Sequence, residues 1–224
     1  MRLSASFLAP YLQRGDLFPN LLARSVYASK YRRGTETWAA TVRRCVEGNV
    51  ALDPTVSEQE AEKLYHALFT MQFVPPGRGL WTGGVEGVPV EALYNCFYCT
   101  LRTLEDWCWL ADMLMCGGGV GIGLYELGGL PPVERAQASL TIGCVTSHPD
   151  SDAVKADVAG YLAAADLHVD DSREGWVEAL RQTLRAAFDG RSLVVDVSPV
   201  RPRGAPIKRF GGVAPGPAPL AELL

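Results

Sequence analysis

The chain has 224 residues, 48% of them hydrophobic and 21% charged, which is enough to bury a core as one large domain or two small ones. A formal net charge of -4 argues against a general nucleic-acid surface. No apolar run approaches the ~18 residues of a membrane span, and the N-terminus MRLSASFLAPYLQRGD lacks the apolar stretch of an export signal, so a cytoplasmic location with reduced thiols is expected.

Residues 1 to about 50 read as helical. Thr35 is placed to cap a helix that carries Trp38, Val42, Cys45 and Val46 on one face and ends before Gly48. A second helix begins at the capping box Ser57-x-x-Glu60, carries the stripe Ala61, Leu64, Tyr65 and Leu68, and stops at Val74-Pro75-Pro76-Gly77. The glycine-rich PPGRGLWTGG around Arg78 and Trp81 then reads as a loop. YNCFYC, rich in aromatic residues, reads as a strand. A helix from about Thr103 leads through a glycine turn into the strand GGGVGIG, and a further strand, SLTIGCV, follows. The helix in DSREGWVEALRQTLRAAF ends at Asp189-Gly190, ahead of the buried strand SLVVDVSPV. Helices alternating with apolar strands predict an α/β fold with parallel neighbours. Thr103-Leu-Glu-Asp-Trp107 and Ser172-Arg-Glu-Gly-Trp176 echo one another, each with a hydroxyl cap, Glu two later and Trp four later. Good helix-start chemistry alone accounts for such an echo as readily as a repeat does.

The six cysteines stand at 45, 96, 99, 108, 116 and 144, and His66, His148 and His168 form no ligand pattern with them. A closed zinc site needs about four ligands, so no metal site is expected. Strand side chains alternate between faces, so Cys96 and Cys99, three apart, fall on opposite faces unless a bulge intervenes. A working cysteine here needs a partner from elsewhere; the alternative is two small buried hydrophobes. GGGVGIG from Gly117 fails the dinucleotide spacing and follows a helix, not a strand. Its glycines instead allow close approach by a ligand or a neighbouring strand. The segment VRPRGAPIKRFGGVAPGP combines Arg201, Arg203, Lys208, Arg209 and the Gly211-Gly212 amides after a strand end, which favours nucleotide phosphate over a plain surface loop.

Six stretches, in order, resemble the N-terminal portion of adenosylcobalamin-dependent (class II) ribonucleotide reductases of the monomeric ribonucleoside-triphosphate type. They are YRRGTETWAATVRR, PPGRGLWTGG, YNCFYC, MLMCGGGVGIG, DSREGW and RPRGAPIKRFGGVAPGP. The resemblance implies a helical region over 1–90, then over 91–224 the first half of a ten-stranded α/β barrel with an inserted effector-site segment near 126–192. It implies that Cys96 is one of two thiols reducing the ribose 2′ position. Asn95, Arg78, Gly118 and Gly119 would then lie at the substrate, and Asp171, Ser172, Arg201, Arg203 and Lys208 at a deoxynucleotide effector. In that family cobalamin-borne radical chemistry creates a thiyl radical on a finger-loop cysteine, and the two reducing thiols end as a disulfide. The finger-loop cysteine and the second reducing cysteine would lie beyond Leu224. The expected partners are therefore a ribonucleotide, a deoxynucleotide effector, a thioredoxin-like reductant and a second polypeptide carrying the C-terminal half. Adenosylcobalamin would be bound mainly by that half, with no nucleic acid and no membrane involved. The monomeric family carries an insertion that imitates a dimer partner at the effector site, which suits the helix echo. The alternatives are a catalytically silent nucleotide-binding or regulatory fragment, or a glycyl-radical enzyme with the same barrel. The DSREGW and RPRGAPIK stretches weigh against the last.

Overall fold

A computed structural model describes residues 2–123, 139–154, 160–207 and 211–224. The chain forms two compact units, Met1–Asn95 and Cys96–Leu224. The first is helical: α1 (Ala5–Arg14), α2 (Leu21–Val26), α3 (Trp38–Val50), α4 (Glu58–Phe69) and α5 (Gly77–Thr82), with a π-turn over Tyr27–Tyr31. Its core packs Leu8, Tyr27, Trp38, Val42, Tyr65 and Phe69 together. The indole of Trp38 donates to the Phe69 carbonyl at 3.0 Å and the Tyr65 hydroxyl donates to the Ala39 carbonyl at 3.2 Å, so both aromatics bury without orphaning a polar group. Burial also pushes the Tyr65 phenol up to about 12.

Several sequence expectations are corrected within this unit. Thr37, not Thr35, caps α3, accepting from the Ala40 amide at 3.2 Å. The helix runs through Gly48 to Val50 because Gly48 is a contact, not a stop: a Cβ there would lie 2.2 Å from Gly84 Cα. Ser57 and Glu60 do form the capping box of α4, but Leu64 is 41% exposed and Phe69 takes its place in the core. That helix ends before the prolines are reached. Met71 adopts φ 58°, and the amides of Met71 and Gln72 return to the carbonyls of Leu68 and Ala67 at 3.1 and 2.9 Å. Within the glycine-rich PPGRGLWTGG, Gly77–Thr82 is helical, not loop.

That short helix is held by charge. Arg44 Nε donates to Glu36 Oε1 at 2.7 Å and Nη2 to Glu36 Oε2 at 3.0 Å, while Nη2 and Nη1 also reach the carbonyls of Leu80 and Gly83. Thr41 adds a hydroxyl to Glu36 at 2.9 Å, and Arg33 donates to the Trp81 carbonyl at 2.9 Å with its guanidinium 5.4 Å from the Trp81 ring.

The second unit opens with β1 (Cys96–Thr100), α6 (Leu104–Met115) and β2 (Gly119–Gly123), the two strands pairing in parallel from Cys96↔Gly119 to Thr100↔Gly123. A second parallel sheet has β5 (Leu193–Asp196) between β3 (Leu140–Gly143) and β4 (Leu167–His168). The expected buried strand SLVVDVSPV supplies, over Leu193–Asp196, the central strand of that sheet, paired on both edges. One face is fully buried, with Val195 and Val197 at 0% exposure, while the other carries half-buried Val194 and buried Asp196. Between β4 and β5 runs α7 (Arg173–Phe188), and α8 (Ala218–Leu223) closes the described chain.

The helix echo is real at both ends. Thr103 forms a capping box with Asp106, and Ser172 caps α7 through the Gly175 amide at 2.9 Å. Each helix ends on a positive-φ glycine, Gly117 at 78° and Gly190 at 65°, with paired returns to the preceding turn. Ion pairs tie the start of α7 to the end of α6 (Arg173–Asp112, 2.8 Å). Others tie its later turns to the start of α6 (Arg181–Glu105 and Arg185–Glu105, both 2.9 Å), so the two helices run antiparallel.

Burial disfavours the charged form of Glu36, but the hydrogen bonds from Arg44 and Thr41 outweigh it and hold its carboxyl below the usual range. A carboxyl with a depressed folded pKa contributes stability above its unfolded pKa and loses it as pH falls through the folded value. Glu36→Gln, which leaves Arg44 uncompensated, is expected to cost about 3 kcal/mol in urea unfolding at neutral pH. It should also flatten the acid limb of stability against pH relative to the native chain.

Candidate functional site

Strand β1 presents its side chains alternately, and the unbroken register with β2 admits no bulge. Cys96, Tyr98 and Thr100 therefore share one side with Gly119, Gly121 and Gly123. Phe97 and Cys99 share the other with Val120 and Ile122. The expectation that Cys96 and Cys99 diverge is met: Cys96 is exposed, while Cys99 is half-buried on the side where the Phe97 ring meets Trp109 of α6 edge-on at 6.0 Å. Burial, with the Asp106 carboxylate nearby, pushes the Cys99 thiol up. Cys45 is buried in the helical unit, its thiol pushed up to about 11. No disulfide joins the six cysteines, all of which lie within the described residues.

The glycines expected at a substrate divide by face. Gly119 is exposed and stands on the same rung as Cys96. Gly118 is buried, and a Cβ there would come within 2.3 Å of the Phe97 ring, so its lack of a side chain serves packing under Phe97. Asn95 is exposed and immediately precedes β1. Arg78 belongs to α5 in the first unit, where its carbonyl accepts from Thr82 Oγ1 at 2.8 Å.

A second group gathers after β5, at the C-terminal end of its sheet. Arg201 grips Asp171: Nε donates to Oδ2 at 2.8 Å and Oδ1 at 2.9 Å, the amide to Oδ1 at 3.1 Å, and Nη2 to the Asp171 carbonyl at 3.2 Å. Nη1 reaches the Pro206 carbonyl at 3.2 Å, so one arginine pins the loop to the α7 entrance. Ser172 spends its hydroxyl on the helix cap. Arg203 donates its amide to Asp150 Oδ2 at 2.7 Å while its side chain stays exposed. Lys208 and Arg209 lie outside the described residues.

Sequence reasoning missed the groups that support this loop. Buried His148 donates from Nε2 to the Val200 carbonyl at 2.9 Å and accepts at Nδ1 from the Asp150 amide at 3.0 Å, which fixes one neutral tautomer. Asp196, at the end of β5, accepts from His168 Nδ1 at 2.8 Å and from the Ser198 amide at 2.8 Å and hydroxyl. Burial opposes its ionisation, but the Ser198 and His168 donors prevail and hold its carboxyl below the usual range. Lone histidines and aspartates carry no spacing signal, which is why only the register exposes them.

Two families match the chain. One described as the ribonucleotide reductase alpha domain covers residues 3–85, and one described as the insertion domain of B12-dependent ribonucleotide reductase covers residues 133–224. Among similar curated proteins are adenosylcobalamin-dependent ribonucleoside-triphosphate reductases from Lacticaseibacillus paracasei, 32% identical over 85% of this chain, and Lactobacillus leichmannii, 31% identical over 85%. In each case the chain spans 32% of the relative's length. A crystal structure of a B12-dependent (class II) ribonucleotide reductase superposes on the whole chain with a TM-score of 0.84 at 28% identity, covering 38% of that structure.

Exposure orders the thiols. With iodoacetamide at neutral pH, peptide mapping should find Cys96 alkylated first, Cys99 more slowly and Cys45 last.

Proposed function

Because the chain belongs to the B12-dependent ribonucleotide reductases and spans about a third of its relatives' length, we propose that it is the part of such an enzyme that supplies one reducing thiol and the effector loop. The observation that carries this reading is Cys96 itself. It is an exposed, unpaired thiol on an unbroken parallel strand beside the bare backbone of Gly119, in a fold that superposes on a class II reductase. The substrate is a ribonucleotide, with the triphosphate favoured by the names of the relatives, and the product is the 2′-deoxyribonucleotide.

In this reading Cys96 and a second cysteine outside this span deliver two electrons and two protons to the substrate. The 2′ hydroxyl leaves as water, and the thiols are left as a disulfide for a thioredoxin-like dithiol to reduce. Gly119 lets the ribose approach the strand, and Asn95 precedes the thiol as a polar contact. Adenosylcobalamin, when bound, supplies the radical that starts the reaction. Among the described residues no three His, Cys, Asp or Glu side chains group to hold a metal ion, and the cofactor is read as held mainly by the rest of the enzyme. The sheet formed by β3, β5 and β4, with α7, is read as the inserted segment, supported by the insertion-domain match. The antiparallel α6–α7 pair supports the idea that this insertion stands in for a dimer partner. The loop after β5 would take the deoxynucleotide effector, with Arg203 offered to phosphate and the Arg201–Asp171 grip setting the loop's shape. No described helix is long and apolar enough to cross a membrane.

In the reductase containing this chain, Cys96→Ser is expected to abolish multiple turnover while Cys99→Ser retains most of it; equal losses would overturn the assignment. Asp171→Asn, which weakens the charge-assisted grip on Arg201, is expected to reduce deoxynucleotide effector affinity roughly tenfold by calorimetry. Turnover without effector should stay near the native rate.

A further inference from the structure

Tyr98 is 62% exposed on the Cys96 side of β1, yet its ring does not stand free. A Cβ built on Gly121 would lie 3.2 Å from Tyr98 Cδ2, and one built on Gly123 would lie 2.3 Å from the phenol oxygen and 3.2 Å from Cζ. The ring therefore reclines along β2 from Gly121 toward Gly123, in space that side chains would otherwise take. Same-side residues on a strand stand ~6.6 Å apart. The ring leans away from Cys96, so the Cys96–Gly119 rung stays open. What results is a notch with a thiol and bare backbone at one end and a supported aromatic ring at the other. Within this span one face of the ring rests on glycine backbone and the other is open.

We propose that Tyr98 is a substrate-positioning residue, the shelf against which the nucleobase stacks while Cys96 faces C2′. The proposal rests on reading Cys96 as a reducing thiol. A nucleobase is bonded to C1′, the neighbour of C2′, so a thiol and a ring lying between one and two same-side steps further along the sheet leave room for the ribose between them. Stacking is indifferent to base identity because every base has a π face, so the shelf serves all four ribonucleotides and leaves the choice of base to other groups.

The experiment is nucleotide protection of Cys96 from iodoacetamide in the reductase containing this chain, read by peptide mapping at residue 96 with each ribonucleoside triphosphate in turn. In Tyr98→Leu the nucleotide concentration for half-protection should rise roughly tenfold for all four bases. The alkylation rate without nucleotide should stay within about twofold, since the thiol itself is untouched. Tyr98→Phe, which keeps the ring, should protect like the native enzyme. Gly123→Ala, which keeps the tyrosine but lifts it off β2, should shift half-protection in the same direction as Tyr98→Leu. Native protection in both Tyr98→Leu and Gly123→Ala would overturn the shelf, as would an equal loss in Tyr98→Phe. If no ribonucleotide protects Cys96 in the native enzyme, the reducing-thiol reading falls and the shelf falls with it, an outcome distinct from a failure of the shelf alone.

Discussion

Two parallel strands cannot be joined by a tight turn, and the candidate site depends on how this chain meets that constraint. Helix α6 carries the chain from the end of β1 back to the start of β2, stopped at one end by the Thr103–Asp106 capping box and at the other by Gly117 in the left-handed region. The strands then meet with Cys96 opposite Gly119. A slip of one residue would turn Cys96 to the α6 side and bring Phe97 out in its place. Gly118 guards against that slip, because the Phe97 ring occupies the space beside it that any side chain would need. The face that Cys96 occupies is therefore set by a helix of fixed length and by one glycine on the opposite face.

Arginine does the corresponding work elsewhere, as a clamp and not as a free cation. Arg44 spends its donors on Glu36 and on the carbonyls of Leu80 and Gly83, which holds a six-residue helix too short to persist alone. Arg173 bridges Asp112, Glu174 and the Cys116 sulfur, and Arg201 binds both the carboxylate and the carbonyl of Asp171. A planar guanidinium can satisfy several acceptors at once in fixed directions, which lysine cannot do. Among the described residues, positive charge in the loop after β5 thus divides into Arg201, which shapes the loop, and Arg203, whose side chain is exposed.

What the sequence determined by itself is local. Strand parity separates Cys96 from Cys99, and hydroxyl caps with glycine stops delimit α6 and α7. The Ser57–Glu60 box starts α4, and the ordered motifs point to the reductase family. Parity, caps and stops are each carried by residues within one or two turns of one another, and the family resemblance is a sum of such short stretches taken in order. The tertiary structure decided whatever depended on distant partners. The apolar run of β5 suits an edge or a central strand equally well, and only pairing with β3 and the two-residue β4 makes it central. Gly48 would end a helix in isolation but continues one because Gly84 packs against it. Gly77–Thr82 is helical because Arg44, thirty-odd residues earlier, binds its carbonyls. Tyr98 reads as an ordinary strand aromatic until β2 arrives in register and its glycines give the ring a place to lie. Register, burial and ion pairing are properties of two segments at once, so no window of one segment contains them.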